Sequence, residues 1–189
     1  MEKRYALKTA PTFDPVPVSE VKNNLRILHD DQDDFLKSLL DTAVEDVQTD
    51  TGRQLALAHW YLYLDEWPDD DELEIEKGPV SGITAVRYWA PDALAYSELS
   101  SDSYQLDNSE QWSARLRFFD TPNIDQDRMN GIQIEFTTGF SASGTIPAYA
   151  RSAVILFASE SYLNPQNHLT NIRTTAAERL LRKMRNQRY

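Results

Sequence analysis

The 189-residue chain contains no cysteine. This excludes disulfide frameworks, zinc–thiolate centres and cysteine nucleophiles, and it fits assembly in a reducing cytoplasm. Histidine is scarce as well. His29, His59 and His168 lie far apart, outside any His-x-x-x-His pair or acid-rich metal spacing, so surface or structural roles are expected of them. No apolar run approaches the about 20 residues of a membrane-spanning helix. The opening Met1-Glu2-Lys3-Arg4, followed by a proline-rich stretch, lacks the apolar centre of a signal peptide. There is no Gly-x-x-x-x-Gly-Lys phosphate loop and no Gly-x-Gly-x-x-Gly turn. Gly139-Phe140-Ser141-Ala142-Ser143-Gly144 looks like a hydrolase nucleophile elbow, but Gly-x-Ser-x-Gly would need glycine where Ser143 stands.

What is present fits a folded domain with a real core: 41% hydrophobic and 26% charged residues rule out wholesale disorder. The net charge of −11 is unevenly spread. From Arg173 to Tyr189 there are six basic residues and one acid, Glu178, so this stretch carries +5 and the rest of the chain −16. An acidic body repels nucleic acid. The basic set Arg179, Arg182, Lys183, Arg185 and Arg188 therefore needs its own explanation. A solvated helix face, an element docking on an acidic partner surface and a nucleic-acid contact are the three readings. The last is weakened by the acidic body and by the lack of interleaved aromatics beyond Tyr189.

Pattern along the chain predicts an α+β fold. Residues 1–17 read as an extended N-terminal arm, punctuated by Pro11, Pro15 and Pro17. A short helix is expected after Ser19 as N-cap, with Val21, Leu25 and Leu28 on one face. The acids of Asp30-Asp31-Gln32-Asp33-Asp34 complement a helix dipole and open a second helix. Its Phe35, Leu36, Leu39, Leu40, Ala43, Val44 and Val47 recur at helical spacing, and Gly52 follows as a left-handed stop. From residue 56 to 145 the period changes to two. Trp60, Leu62 and Leu64 alternate with polar or tyrosine neighbours, as do Leu73 and Ile75. Further runs at Ile83–Trp89, Tyr104–Asp107, Arg115–Phe119 and Ile132–Thr138 complete an antiparallel β insertion. Pro147 then opens a third helix whose face through Tyr149, Ala153, Val154 and Phe157 is broad and apolar. These four residues are candidates for a subunit interface. The boundaries are thus 18–55 and 146–172 for a small helical core, 56–145 for the insertion and 173–189 for a basic C-terminal helix or tail.

The acid clusters do not make a calcium loop. Counting from Asp30 or Asp31 places Phe35 or Leu36 where glycine must stand. In Asp125–Gly131 the glycine falls one place late, and the twelfth position is Phe136. Asp69-Asp70-Asp71 reads as a solvated loop. Among the carboxylates, Glu160 alone stands in an apolar helix, where an interface or satisfied charge is the simpler reading. No cofactor and no metal are expected.

Several motifs, taken in order, resemble the head–tail connector (adaptor) family of long-tailed phages and gene-transfer particles. Val18-Ser19-Glu20-Val21-Lys22 with Leu25-Arg26 is similar to its opening helix, and Thr51-Gly52-Arg53 to the end of its second. Trp67-Pro68, Gly78-Pro79-Val80, Val86-Arg87-Tyr88, Tyr104-Gln105-Leu106-Asp107, Ile134–Phe140 and Ile146-Pro147 follow in the family's order, so the resemblance spans about 16–163. It implies a virion protein at the head–tail interface whose copies form a ring, twelve-fold in the particle. The ring sits beneath the portal protein, extends the DNA channel and offers a platform to the next connector or tail-completion protein. DNA passes through without specific binding, and the family has no catalytic residues to carry over. A tail-completion or neck protein one layer further down is the alternative within the same class. A carboxylate-based hydrolase is the alternative from another class, and it requires a deep pocket with two facing acids.

Overall fold

The structure, a computed structural model, describes residues 2–164 and 175–185. The chain is divided between two compact units. One runs up to Thr12 and resumes over Leu57–Gly139; the other comprises Phe13–Ala56 and the described residues from Phe140 on.

The first unit is all β. Its strands are β1 (Arg4–Thr9), β2 (Ala58–Leu64), β3 (Glu72–Ile75), β4 (Val80–Tyr88), β5 (Ser97–Glu98), β6 (Tyr104–Asp107), β7 (Ala114–Phe118) and β8 (Ile132–Thr138). They form an antiparallel five-stranded sheet in the order β1-β2-β8-β4-β5 and a three-stranded one in the order β3-β7-β6. Side chains alternate between faces. Leu62, Leu64, Val86, Ile132, Ile134 and Phe136 of the larger sheet meet Leu73, Ile75, Leu116 and Phe118 of the smaller in one buried core. Trp67 packs edge-on against Phe118 with ring centroids 5.1 Å apart. Gly78, before cis Pro79, is required by close approach, because a Cβ there would lie 2.4 Å from the main-chain carbonyl of Trp112.

The segment expected as an extended N-terminal arm contains β1, paired with β2 at the edge of the larger sheet with one irregularity between Leu7 and Thr9. Alternating Tyr5 and Leu7 gave too short a signal to stand out beside the prolines that follow. Of the other strands, the two-residue β5 falls in no predicted run, β4 starts three residues early at Val80 and carries two irregularities against β8, and the rest lie within a residue or two of the predicted runs.

The second unit holds α1 (Val18–Leu25), α2 (Asp33–Thr51), α3 (Ala148–Leu163) and α4 (Thr175–Leu181). Helix α1 begins one residue before Ser19, with Pro17 in the cap position and no side-chain cap. Ser19 is therefore inside the first turn, because proline's fixed φ already suits a helix entry. Helix α2 buries Leu36, Leu40, Ala43 and Val47, a stripe at helical spacing, and ends at Gly52 with φ of 68°. Helix α3 buries Ala150, Ala153, Val154, Ala158 and Ser159, and packs against α1, α2 and α4. Polar ties join the helices: Lys22 to Asp33 at 2.7 Å, Arg151 to Glu20 at 3.2 Å, and Asn24 to the Ser159 hydroxyl at 2.8 Å.

Candidate assembly surfaces

Helix α4 and the turn after it carry the basic set predicted from the sequence. Ala177, Leu181 and Met184 are wholly buried, which turns Arg179, Arg182, Lys183 and Arg185 outward into solvent. Four of the five predicted basic residues thus share one exposed element; Arg188 lies outside the described residues. Arg185 reaches Glu178 at 3.6 Å, and Lys183 stands 5.7 Å from the Tyr149 ring centroid.

The element is pinned from beneath by a residue the sequence reading left without a role. Arg53 is 3% exposed, and its Nε donates to the Met184 carbonyl at 3.0 Å. The Thr51-Gly52-Arg53 motif explains how it gets there. The Thr51 hydroxyl donates to the Val47 carbonyl at 2.6 Å, and Gly52 turns the chain in the left-handed region. Leu55 N–H then donates to Gln48 Oε1 at 2.9 Å. The helix stop therefore aims a buried guanidinium at the last described turn. The recognisable Thr-Gly-Arg run was the available signal; its partner, 131 residues away, was not legible.

The candidate interface on α3 divides. Ala153 and Val154 are 0% exposed within the chain, so they are core: their small side chains let neighbouring helices approach. Tyr149 and Phe157 are half-buried and keep surface to offer. At the far end of the same helix an apolar group is exposed. The Tyr162 ring packs 6.2 Å from Phe35, which is half exposed, as is the neighbouring Leu163.

A carboxylate-based hydrolase would need two facing acids in a deep pocket. An open groove of about 340 Å³ on the smaller sheet is lined by Glu72, Glu74, Asp107, Glu110, Ser113 and Arg115. Three of its acids are matched: Asp107 to Arg115 at 2.7 Å, Glu72 to Arg117 at 3.8 Å, and Glu110 accepts from the Ser113 hydroxyl at 2.8 Å. The Ser109 hydroxyl, then Arg115 and the Ser109 N–H, hold Asp107 down to about 2. Asp30 is lowered by Lys22, and Asp65 by the Asn130 N–H and then Arg4. On the outer face of the larger sheet Glu135 is buried, which pushes its pKa up. Hydrogen bonds from Lys8 at 2.6 Å and Arg87 at 3.1 Å outweigh that and leave it below the usual range. Each of these shifts favours the carboxylate ion, the opposite of what a general acid needs. Asp127 has its N–H bonded to Asp125 Oδ1 in a turn, and Glu160 is half-buried on α3. The near-miss calcium segment is also occupied: Asp125 faces Arg128 at 3.6 Å and Asn130 Oδ1 accepts from Arg4 at 3.1 Å. Among the described residues no cluster of three or more metal-ligating side chains occurs.

A family model described as phage gp6-like head-tail connector protein matches residues 16–111, just over half of the sequence. The chain belongs to this family. The connector is thus a structural protein of the head–tail interface. The match covers α1, α2 and β2 through β6, while β1 precedes it and β7, β8, α3 and α4 follow it. No curated protein matches significantly. Solved structures extend the likeness in fold to nearly the whole chain. A chain from the neck of an empty GTA particle computed with C6 symmetry has a TM-score of 0.80 at 21% identity, covering 98% of the connector and 97% of that chain. One from the virion of a native gene transfer agent (GTA) particle scores 0.79 at 21% identity, covering 98% and 96%. One from the neck of a native GTA particle computed with C12 symmetry scores 0.74 at 21% identity, covering 98% and 97%.

Proposed function

We propose that copies of the connector close into a ring, twelve-fold in the particle, beneath the portal protein, and that the ring acts by assembly and not by catalysis. The observation that carries the reading is the match in fold, over nearly the full length of both chains, to neck proteins of particles computed with C6 and C12 symmetry. The ion-paired, downshifted carboxylates support a non-enzymatic role. A ring is a head-to-tail assembly, so one surface of each copy meets a different surface of the next. Tyr149 and Phe157 are offered as part of one such surface.

The exposed face of Arg179, Arg182, Lys183 and Arg185 is assigned to the portal or a neighbouring particle protein. Arginine's planar fork pairs with carboxylates in two-pronged fashion, and a ring repeats the contact, so weak single contacts gain avidity. The acidic body suits a channel through which DNA passes without sticking. The test is native mass spectrometry and microscopy of the connector alone and with purified portal, for the full chain and for a variant lacking residues 173–189. A ring with portal, lost on deletion while the remainder stays folded, is the expected result. A tail-completion protein one layer further down would form its ring without binding portal. Portal binding that survives the deletion while binding to duplex DNA collapses would make the basic element a nucleic-acid contact.

A further inference from the structure

Strand β1 is held in a way that makes it detachable. Its backbone pairs with β2 along one edge, but Ala6, Leu7, Lys8 and Thr9 are all exposed, and Tyr5 is its chief apolar anchor, edge-on to Phe136 at 6.3 Å. The rest of its attachment is ionic or polar. Lys3 donates to the Glu74 carbonyl at 2.8 Å, Arg4 pairs with Asp65 and Asn130, and Lys8 pairs with the buried Glu135. The strand is also remote in chain from the sheet it completes, since residues 13–56 belong to the other unit. A short hinge makes the connection. Beyond it, Pro15 and Val16 are buried and the Pro15 carbonyl accepts from the Ser143 hydroxyl at 2.7 Å. That leaves residues 10–14, with Pro11 among them, spanning about 15 Å when extended. The boundary between the two units falls within this hinge, after Thr12.

We propose that in the assembled ring β1 is exchanged between neighbours, each copy's residues 4–9 completing the larger sheet of the next copy along β2. This rests on the ring reading above and identifies one of its head-to-tail contacts. An exchanged strand makes the same ladder and the same ion pairs as an unexchanged one, so the swap needs no new complementary surface. A short, proline-bearing hinge anchored at its far end is the kind of connection across which strands are exchanged. The limited reach restricts the recipient to the adjacent copy. The acceptor edge is chemically specific. It presents Glu135 and Asp65 at positions matching Lys8 and Arg4, with the Tyr61 and Tyr63 rings, tilted to each other at 5.8 Å, between them.

The absence of cysteine permits a direct test. Ala6 and Tyr61 are directly opposed in the β1–β2 register, at a spacing that accepts a disulfide. Full-length connector carrying only Ala6→Cys is mixed with full-length connector carrying only Tyr61→Cys, assembled with portal and oxidised. Exchange joins the two variants into a covalent dimer on a non-reducing gel in a large share of chains. Leu7→Cys, on the opposite face, paired with Tyr61→Cys gives little. Rings visible by microscopy with no Ala6–Tyr61 link, while the double variant closes a disulfide within one chain, overturn the exchange and leave the ring standing. Equal linking from Ala6 and Leu7 overturns it as well, since that is collision and not register. Absence of any ring overturns both readings.

Discussion

The two units bury large and small side chains in different proportions. The β unit is built on Leu62, Leu64, Leu73, Ile75, Leu116, Phe118, Ile132, Ile134 and Phe136, large residues interdigitated between two sheets. The helical unit also buries Leu36, Leu40, Leu55, Leu181 and Met184, but no phenylalanine; many of its other core positions are small, as at Ala43, Ala150, Ala153, Ala158 and Ala177, and it adds side-chain-to-main-chain ties such as Arg53 to Met184. Apolar burial stabilises roughly in proportion to area, so the β unit should be the rigid partner. The helical unit gains less from each side chain and leans on directional bonds, which a docked neighbour can redirect. A protein that must keep its shape and still accommodate other proteins can divide those tasks in this way.

That contrast can be broken from either side. The largest effect is expected from Phe136→Ala, which removes a wholly buried ring and should cost about 3–5 kcal/mol. Calorimetry should show the loss in a transition assigned to the β unit, while helical circular dichroism persists to higher temperature. If both signals fall together, the units are one cooperative block and the division drawn here is too sharp. Gly78→Ala comes next, at about 1–3 kcal/mol of overpacking in the same transition, because the added Cβ meets main chain and not a movable side chain. Arg53→Ala should cost about 1–3 kcal/mol by stranding the Met184 carbonyl. The sensitive measurement is hydrogen exchange, with protection lost over 177–185 and retained in β8.

Acid should act on β1 with little effect on the core beside it. Glu135 and Asp65 have folded pKa values below their ordinary ones, so their stabilisation is complete above the ordinary carboxylate range, near pH 4. It fades as pH falls through the folded values. Exchange at residues 5–8 should therefore accelerate on acidification before β2 and β8 respond, and Glu135→Gln should flatten that response. The smallest effect belongs to Asp41→Asn, which loses an exposed pair with Lys37 on α2. A change within about 0.5 kcal/mol is expected by chemical denaturation.

Much of this architecture was legible in the sequence because it is periodic. The stripe of Leu36, Leu40, Ala43 and Val47 with Gly52 behind it defines α2, and the two-residue alternation of Ile132, Ile134 and Phe136 defines β8. What stayed hidden depends on partners distant in chain. Tyr5 and Leu7 become a strand only because β2, more than fifty residues on, offers an edge. Ala153 and Val154 read as surface for a neighbour because an all-round apolar helix does not say which side its own chain covers. The basic set was readable as composition. Its outward orientation was fixed by Ala177, Leu181 and Met184 turning inward, a pattern too short to phase from the sequence alone.

The interleaving of the two units along the chain also has a consequence for synthesis. During translation β1 is made first, yet its partner β2 appears only after the segment 13–56, and β2 is itself unsupported until β8 is complete at Thr138. Residues 4–9 therefore wait, unpaired, through most of elongation. The Arg53 side chain waits longer still, since the carbonyl it binds belongs to residue 184. The order in which the ribosome delivers the pieces thus leaves both closures between chain-distant segments, β1 on β2 and Arg53 on Met184, to the late part of synthesis.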